Sequence, residues 1–365
     1  RVAMMRTGGG GSAMAGRGLA HDAAGAAARD GGAEARADVA AALRGLGLAA
    51  TGDPIALEPL SGGVSSDIWR VDVGGRSLCV KRAAPRLRVA AVWEVPVERN
   101  RYEADYLRVA ETIAPGLCPA LLGEDPARGL LVMPYLPPER WRVWKSELRD
   151  GRVDPGVAAG IGAGLARLHG GTEDRPAIAA RFATDALFDA LRLDPYLREC
   201  ARRHADLAGR LEALAAATAG TRRALVHGDV SPKNVLVGPE GFRLLDAECA
   251  WFGDPAFDVA FLLNHLLLKC VWRPVHADGY RAAFHAFLDA YRDGVAGLRD
   301  PGRDGRVAAL LPGLFLARVD GKSPVEYLTD EADKALVRRI ARRFLLEPAR
   351  RPEPLVEAVH AEVAP

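Results

Sequence analysis

The chain has 365 residues, with 49 Lys or Arg, 47 Asp or Glu and a formal net charge of +2 at pH 7. This length suffices for a full hydrophobic core and for two lobes, while the nearly balanced charge does not indicate a nucleic-acid or membrane surface. No apolar run approaches the roughly 20 residues that a membrane-spanning helix needs. The five cysteines are scattered and form no Cys-x-x-Cys pair, which predicts a reducing, cytoplasmic setting without a zinc site.

The first 33 residues are rich in Gly and Ala and show no hydrophobic pattern. They also lack the apolar core of a signal peptide. We expect residues 1–33 to be a disordered tail, or the product of an upstream start that is not native. From Glu34 onward, Val39, Leu43 and Leu46 recur at helical spacing, which predicts the first helix.

A β meander is predicted next, with strands over Ile55–Leu60, Asp67–Val73 and Arg76–Arg82. Glycines in a turn let backbone N–H groups approach phosphate oxygens, and serine hydroxyls add donors. The turn between the first two strands is therefore a candidate phosphate-binding loop, with an ordinary Gly-rich hairpin as the alternative. Its candidate residues are Ser61, Gly62, Gly63, Ser65 and Ser66.

Lysine is scarce in this arginine-rich chain, with only six residues. A lysine in such a composition indicates a position that requires lysine and not arginine. Lys81, which lies on the third predicted strand, is one such candidate. The segment Val97–Ile113 predicts a helix that carries Glu98 and Glu103. Further along, we predict strands over Ala120–Glu124 and Leu130–Met133, and helices over Asp154–His169 and from Phe182 to Ala217.

The stretch with the strongest chemical signal runs from Leu225 to Glu248. Apolar β-type runs flank a polar loop with Asp229 and Asn234, and a last strand after a Gly-Pro-Glu-Gly turn ends on Asp246. Phosphoryl transfer from ATP needs an oriented hydroxyl and Mg²⁺ held against the phosphates. Asp229 can accept the proton of the hydroxyl, and Asn234 and Asp246 offer the hard oxygen ligands that Mg²⁺ takes. The alternative is a hairpin whose Asp and Asn serve only the turn.

The C-terminal part is predicted to be helical. Ser323-Pro324-Val325-Glu326 has the pattern of a capping box with proline at the first helical position, so we expect a helix to begin there. Arg318, Asp320 and Lys322 lie just before it. Arg318 and Lys322 are candidate substrate contacts, and a surface position is the alternative for both.

His227-Gly-Asp229-x-x-x-x-Asn234 and the later Asp246-x-Glu248 resemble motifs of the aminoglycoside phosphotransferase and choline kinase-like family, which is similar in fold to protein kinases. The resemblance covers roughly residues 50 to 270. It implies an α+β, two-lobed, protein-kinase-like fold with ATP between the lobes. Residues 34–136 would form a β-rich N-lobe, and residues 137–365 a mainly α-helical C-lobe.

A shorter stretch, from Val80 to Arg88 with Trp93, is similar to methylthioribose kinases, a branch that phosphorylates a sugar. In folds of this kind the strand lysine pairs with the α- and β-phosphates and a helix glutamate orients it. The resemblance assigns these roles to Lys81 and Glu103, with Glu98 as the alternative glutamate.

The same resemblance implies that backbone groups at the hinge between the lobes hold adenine. The carbonyl of Pro134 and the N–H of Leu136 fit these roles, and an ordinary proline-induced strand end is the alternative. The Gly-Asp-Pro-x-x-Asp pattern that begins at Gly253 also resembles this family, and the resemblance implies that Asp258 is a structural brace for the loop around Asp229.

Three further residues near the loop keep two interpretations each. Glu248 is a second metal ligand or a solvated acid. Lys233 either reaches the γ-phosphate or lies on the surface. Ser231 either adds a hydrogen bond in the site or lies on the surface.

The predicted function is ATP-dependent transfer of the γ-phosphoryl group to a hydroxyl of a small molecule, with Mg²⁺ as cofactor. In the helical region after Trp251 the acidic and basic residues nearly balance, and Arg318 and Lys322 are cationic. This favours a neutral or anionic, sugar-like acceptor over a polycationic aminoglycoside, which is kept as a second possibility. The alternative is a non-catalytic nucleotide-binding scaffold or regulatory protein on the same fold. A protein kinase is disfavoured because the chain has no Asp-Phe-Gly and no Ala-Pro-Glu. No nucleic-acid or membrane partner is expected.

Overall fold

The N-terminal part of the chain is built on an antiparallel sheet of five strands. The computed structural model describes residues 34–60, 66–83, 99–298 and 300–364. In spatial order the strands run β1-β2-β3-β5-β4. Their bounds are β1 (Ala56–Pro59), β2 (Ser66–Val73), β3 (Arg76–Ala83), β4 (Gly123–Asp125) and β5 (Leu130–Pro134).

One face of this sheet carries its own hydrophobic core. Trp69, Val71 and Val73 alternate along β2 and are buried, whereas the residues between them are less so, as expected for a strand with one covered face. The helix α1 (residues 34–45) lies over this face and contributes Val39 and Leu43 to the same cluster. The meander predicted from the sequence is thus confirmed.

Helix α2 (Arg99–Ile113) connects the sheet to the rest of the molecule. It contacts β3 and β5 and also the first long helix of the C-terminal part. Tyr106, Leu107 and Ala110 on α2 belong to the large C-terminal core. This packing carries Glu103, which lies on the same helix, to the boundary between sheet and helices.

The C-terminal part is mainly helical. Its helices are α3 (Trp144–Arg149), α4 (Pro155–Thr172), α5 (Pro176–Arg181), α6 (Asp185–Phe188), a π-helix (Asp189–Arg198), α7 (Glu199–Arg203), α8 (Ala208–Gly220), α9 (Ala256–Trp272), α10 (Ala277–Val295), α11 (Arg303–Asp320), α12 (Glu331–Leu346) and α13 (Glu353–Val363). Two short 3₁₀ turns cover Pro232–Asn234 and Pro274–His276. Within the described residues, no helix combines the length and the apolar character needed to cross a membrane.

Helix α9 is the centre of this part. All residues from Ala256 to Val271 are buried, and α10, α11, α12 and α13 all pack against it. A helix that is apolar on every side belongs inside a large core. Its few polar residues, such as Asp258, His265 and Lys269, are therefore buried with it.

Short strands hold the loop that the sequence marks as catalytic. They are β6 (Arg142–Val143), β7 (Ala224–Val226), β8 (Val235–Gly238), β9 (Gly241–Leu244) and β10 (Trp251–Gly253). Strand β7 pairs with β10, and β8 lies between β6 and β9. Gly238 pairs with Gly241, which confirms the predicted hairpin. Strand β9 ends at Leu244, so Asp246 lies just beyond this strand and not at its end as predicted.

The helix expected from Ser323 is absent, and that prediction was wrong. Residues 321–330 are not helical, and α12 begins at Glu331 after Asp330, which accepts a hydrogen bond from the Ala332 N–H. A capping box needs the Glu carboxylate to turn back to its own helix start. Here the carboxylate of Glu326 pairs with Lys145 instead.

Candidate active site

A cleft of about 920 Å³ lies between the sheet and the helical part. Residues from both parts line it, and several are side chains that the sequence singled out. These are Ser66, Lys81, Glu103, Pro134, Leu136, Asp229, Ser231, Lys233, Asn234, Asp246, Glu248 and Arg318. The fold therefore brings together residues that are up to 252 positions apart in the chain, since Ser66 and Arg318 line the same cavity.

Lys81 lies between two carboxylates. Its Nζ is 2.6 Å from Glu103 Oε2 on α2, and it also pairs with Asp246 Oδ1. All three residues are enclosed by the cleft walls, and Lys81 and Glu103 are almost completely buried. The lysine of β3 thus connects α2 to the segment after β9.

The carboxylates keep the lysine charged. Burial by itself would lower the pKa of Lys81, but the charges of Asp246 and Glu103 outweigh it and raise the pKa above its ordinary value. Burial raises the pKa of Glu103 to about 7, although Lys81 opposes that rise. For Asp246, the charges of Lys81 and Lys233 overcome burial and lower the pKa. The cluster therefore holds one ammonium and at least one carboxylate near pH 7.

Asp229 lies between two cations at the bottom of the cleft. Its Oδ2 is 3.2 Å from a guanidinium nitrogen of Arg192 and 3.2 Å from the Nζ of Lys233. Burial would raise the pKa of this carboxyl, but Lys233 and Arg192 outweigh burial and lower it far below its ordinary range. Asp229 is therefore an ionised hydrogen-bond acceptor at any pH at which the protein works.

The backbone before Asp229 is held from below. Asp258, at the start of α9, accepts hydrogen bonds from the N–H groups of His227 (2.7 Å) and Gly228 (2.8 Å). His169 of α4 lies 3.2 Å from the same carboxylate and 2.9 Å from the hydroxyl of Tyr291. These contacts connect the loop to three helices of the core, α9, α4 and α10.

Gly228 is required by this geometry. Its φ is +77°, and a Cβ at this position would lie 2.7 Å from the carbonyl oxygen of Cys249. The left-handed region and the close backbone approach both favour glycine. Asp229 therefore reaches the cleft because the preceding position, which only glycine occupies without strain, turns the backbone.

Asn234 and Asp246 lie on adjacent segments of the same loop region. The side-chain Nδ2 of Asn234 donates to the carbonyl of Asp229 at 3.1 Å, and the carbonyl of Asn234 accepts from the N–H of Leu245 at 2.8 Å. With its amino group occupied, the side-chain oxygen of Asn234 remains as an acceptor. Asp246 adopts a φ of +67°, an uncommon conformation for a residue with a side chain, and this turns its carboxylate towards Lys81.

This oxygen set suits Mg²⁺ bound together with phosphates. Mg²⁺ is usually held by one or two protein carboxylates, waters and substrate phosphate oxygens. Asp246, Asn234 and Glu248 offer oxygens in the same cleft. Among the described residues, no three His, Cys, Asp or Glu side chains converge on one point as a complete cage.

The other end of the cleft is apolar and begins at β5. The Tyr135 N–H donates to the carbonyl of Ser77 at 3.2 Å. Because hydrogen bonding alternates along an antiparallel pair, the carbonyl of Pro134 and the N–H of Leu136 point away from β3. Both residues line the cleft together with Leu60, Ile68, Met133, Leu236 and Leu245.

Only one residue of the predicted phosphate-binding turn, Ser66, belongs to the described part of the chain. Ser61, Gly62, Gly63 and Ser65 lie outside the described residues, as does Glu98. Ser66 begins β2, is buried and lines the cleft. Its hydroxyl has no hydrogen-bond partner among the residues described.

The predicted trio before residue 323 is divided. Arg318 lines the cleft, and its Nη1 donates to the hydroxyl of Tyr196 at 3.0 Å. Asp320 instead binds Arg338 on α12 at 2.7 Å. Lys322 is not among the residues that line the cleft, and its backbone N–H donates to the carbonyl of Pro195 at 2.8 Å. Of these three residues, only Arg318 lines the cleft.

Two cationic residues of the cleft were missed by the sequence reasoning. Arg192 lies in the π-helix Asp189–Arg198, within a predicted helical region whose sequence carries no signal of a site. Its only sequence signal is a charge flanked by Leu191 and Leu193. Lys269 is buried in α9, and its signal was the scarcity of lysine, because four of the six lysines, Lys81, Lys145, Lys233 and Lys269, line this cleft.

A family model described as the phosphotransferase enzyme family matches residues 56–298. The match covers more than half of the chain and contains both the Lys81 cluster and the loop of Asp229. The protein belongs to this phosphotransferase family, as the sequence motifs predicted.

Individual relatives are more distant. A methylthioribose kinase of Pectobacterium carotovorum is 28% identical over 244 residues, which are 59% of this chain and 60% of that protein. The chain thus spans less than two thirds of the length of this curated relative.

Solved structures agree with the two-lobed, protein-kinase-like fold that the sequence predicted. A choline/ethanolamine kinase family protein from Mesorhizobium loti has a TM-score of 0.50 at 20% identity and covers 90% of this chain and 98% of its own. An amicoumacin kinase in complex with AMP-PNP and Ca²⁺ has a TM-score of 0.50 at 15% identity, with 81% and 90% covered. At these identities the likeness shows the fold alone.

Proposed function

We propose that the protein transfers the γ-phosphoryl group of ATP to a hydroxyl of a small molecule. The observation that carries this proposal is the pairing of Lys81 with Glu103 and Asp246 in the same cleft as Asp229, whose charge is held by Arg192 and Lys233. One cluster suits the phosphates and the other suits an incoming hydroxyl. The nucleotide would lie between a lobe formed by residues 34–136 and a lobe formed by residues 137–365.

The apolar end of the cleft suits adenine. The outward-facing carbonyl of Pro134 and N–H of Leu136 offer one acceptor and one donor at the hinge. Lys81 then meets the α- and β-phosphates, and Ser66 adds a donor hydroxyl at the start of β2. The complex of the amicoumacin kinase with AMP-PNP and Ca²⁺ supports a nucleotide and a divalent ion in this fold.

Asp246 and Asn234 would hold Mg²⁺, with Glu248 as a further oxygen donor. When it is bound, Mg²⁺ neutralises charge on the phosphates. In the structure Asp246 pairs with Lys81, so this lysine keeps the carboxylate ionised and directed into the cleft. Asn234 keeps its side-chain oxygen available because its amino group is bound to the backbone.

Asp229 would orient the acceptor hydroxyl. A carboxylate whose pKa is far below its ordinary value is a weak base, so it binds and aims the hydroxyl without removing its proton in advance. Phosphoryl transfer through a loose transition state requires positioning more than a strong base. Lys233, which contacts the same carboxylate oxygen, would also meet the γ-phosphate.

The acceptor class is proposed as a small hydroxylated metabolite, with an aminoglycoside as the less favoured possibility. Methylthioribose kinases among the relatives support a sugar-like acceptor. The cations Arg192, Lys233 and Arg318 on the cleft wall disfavour a polycation. All five cysteines are unpaired, and we place the reaction in the cytoplasm.

The test is turnover of ATP with Mg²⁺ by the full chain against a panel of sugars, amino alcohols, hydroxy acids and aminoglycosides. We expect acceptor-dependent ADP release that falls about 10²–10⁴-fold in Asp229→Asn and is unchanged in Asp206→Asn, which alters an exposed carboxylate paired with Arg342. ATP binding without turnover on any acceptor would instead support a nucleotide-binding scaffold.

A further inference from the structure

The cleft extends beyond Asp229 into a second compartment that the proposed reaction does not yet use. Its walls are α9, α11 and the non-helical segment 321–330. We name it the distal compartment and define it by four residues that line the cleft: His265 and Lys269 on α9, Arg318 on α11, and Tyr327. The first two are one helical turn apart on the same face.

Each of these four residues has a buried polar atom that is unsatisfied. They are the Nζ of Lys269, the Nε of Arg318, the Nε2 of His265 and the hydroxyl oxygen of Tyr327, none of which has a hydrogen-bond partner among the described residues. Buried polar atoms are nearly always paired in folded proteins. Four unpaired atoms around one cavity therefore indicate a ligand that supplies their partners.

The missing partner is a hydrogen-bond acceptor with negative charge. The ammonium of Lys269 and the guanidinium of Arg318 can only donate. Lys269 is 1% exposed, and no Asp or Glu of the described chain lies within ion-pair distance of it. The nearest acid along the segment, Glu326, is paired with Lys145. An uncompensated buried ammonium is costly, so a carboxylate or phosphate oxygen would relieve the cost.

Aromatic rings hold the ammonium in place. The Nζ of Lys269 lies 3.7 Å from the ring centre of Tyr327 and 4.3 Å from that of Trp272. Arg318 is fixed in a comparable way, because its Nη1 donates to Tyr196 and to the carbonyl of Ser323 at 2.6 Å. Both cations are thus positioned before any ligand arrives.

The compartment is close enough to Asp229 for one small molecule to reach both. Phe261 of α9 lies under Arg192, with 5.8 Å between its ring centre and the guanidinium carbon, and Arg192 binds Asp229. From Phe261 to Lys269 is about two helical turns, or roughly 12 Å along the axis. His265 lies halfway along, and Arg318, Asp229 and Lys269 are all near enough for their charges to act on its pKa.

We propose that the distal compartment binds an anionic group, a carboxylate or a phosphate ester, carried by the same molecule whose hydroxyl meets Asp229. The acceptor would accordingly be a hydroxylated acid or a sugar phosphate, and neither a neutral sugar nor a polycation. This inference rests on the proposed function for the role of Asp229. Binding of the anion itself does not depend on turnover.

The experiment measures binding by calorimetry to the full chain saturated with AMP-PNP and Mg²⁺, so that the nucleotide site is filled. The probes are matched pairs at constant ionic strength: D-gluconate against D-glucitol for the carboxylate, and glucose 6-phosphate against glucose for the phosphate. Glucosamine serves as the cationic probe. We expect at least one anion to bind about 10-fold or more tightly than its neutral counterpart.

Two variants locate the binding. Lys269→Met keeps the length of the side chain and removes the charge, and Arg318→Met removes the second cation. We expect each to abolish the preference for the anion. The matched controls Lys334→Met and Arg339→Met alter residues of α12 that pair with Glu331 and Glu362, and these should keep the preference.

The outcomes separate this inference from the proposed function. If no anion binds more tightly than its neutral partner, or if the preference survives in Lys269→Met, the anion site is overturned. If the preference is present and is lost in Lys269→Met, but no acceptor is phosphorylated, the site stands and the kinase proposal fails. Asp229→Asn should stop turnover while it leaves binding of the anion in place.

Discussion

The guanidinium of Arg192 lies 3.2 Å from the carboxylate of Asp229, and both side chains are about nine-tenths buried. The Nε of the same arginine donates to the carbonyl of Gly228. One side chain from the π-helix thus binds both the backbone and the acid of the loop. This makes Arg192 a positioning residue for Asp229, because it fixes where the carboxylate lies and keeps it ionised.

Replacing Arg192 by Met should reduce turnover more than nucleotide binding. Loss of a charged hydrogen bond to a buried acid is expected to cost about 10- to 100-fold in kcat, with little change in the KM for ATP. The pKa of Asp229 should rise towards its ordinary value, since Arg192 is one of the charges that lower it. A fall in kcat without a rise in the KM for ATP is the expected signature of a misplaced carboxylate.

Arg198→Met is the matched control for this variant. Arg198 ends the same π-helix, is partly exposed and pairs with Asp189 at 2.6 Å. A purely structural role for Arg192 would lower the melting temperature and leave the kcat of the folded protein equal to that of Arg198→Met. That result would contradict the positioning role.

Lys81→Met should damage the phosphate end of the cleft. The change leaves Glu103 and Asp246 facing each other without the ammonium between them, so the pKa of Glu103, already about 7, should rise further. Removing one preorganised charge from a transition state of this kind typically costs about 10²–10³ in kcat. Steady-state kinetics with ATP as the varied substrate would measure it.

A lysine outside the cleft provides the comparison. Lys334→Met removes a charge that pairs with Glu331 on the exposed side of α12, and its kinetics should match the parent protein. Equal kinetics for Lys81→Met and the parent protein would remove Lys81 from the site.

Much of this site follows from local sequence. The loop from His227 to Asn234 carries its chemistry within a few residues, so the spacing of Asp229 and Asn234 and the hairpin after them could be predicted. A turn and its flanking strands depend on neighbouring residues. The same local character explains why the predicted sheet strands agree with the structure to within a few residues.

The parts of the site and fold that the sequence did not predict depend on contacts between residues that are distant in the chain. Arg192 and Lys269 belong to helices whose sequence carries no catalytic pattern, and only packing brings them to the cleft. The expected helix at Ser323 failed for the same reason, because Glu326 pairs with Lys145, 181 positions away. A local capping pattern does not start a helix when a tertiary contact engages the side chain that would form the cap.

Asp258→Asn should destabilise the protein. The carboxylate accepts two backbone N–H bonds, from His227 and Gly228, and an amide has only one oxygen to offer. One buried N–H group would lose its partner, which costs about 1–3 kcal/mol. Chemical denaturation would show a lower free energy of unfolding, whereas Asp289→Asn, which alters an exposed carboxylate on α10, should not. Equal stability of both variants would show that the brace is dispensable.

Gly228→Ala should combine strain with a steric clash. The φ of +77° disfavours a side chain, and the new Cβ would lie 2.7 Å from the carbonyl oxygen of Cys249. Gly241→Ala also has a positive φ, of +96°, but meets nothing within 4 Å. Strain of this kind costs on the order of 1–3 kcal/mol, so we expect both to be destabilising. Gly228→Ala should be the more severe in thermal unfolding, and it alone should lower kcat.

The stability of the protein without ligand should depend on pH through Lys269. Burial, assisted by Lys145, lowers the pKa of this lysine from 10.5 to about 7. Glu326 opposes the shift and Arg149 adds to it, while Tyr327 and Trp272 contribute only their rings to its surroundings. Below pH 7 the fold therefore contains a buried ammonium that its neighbours do not neutralise.

The sign of the effect follows from proton binding. Between pH 7 and 10.5 the unfolded chain holds the Lys269 proton and the folded chain does not, so the free energy of unfolding rises with pH across this window. Lys269→Met lacks this dependence. At pH 6 the variant should be more stable than the parent protein by a few kcal/mol, since each unit of pKa shift corresponds to about 1.4 kcal/mol.

The difference should shrink as the pH rises towards 10.5, above which Lys269 is neutral in both the folded and the unfolded chain. Urea denaturation of the parent protein and Lys269→Met at several pH values measures it, with Lys334→Met as the control for loss of an exposed charge. A parent protein that equals Lys269→Met at pH 6 would mean that the ammonium is neutralised in the fold. In that case the cavity would need no anion from outside, because the charge would already have its partner.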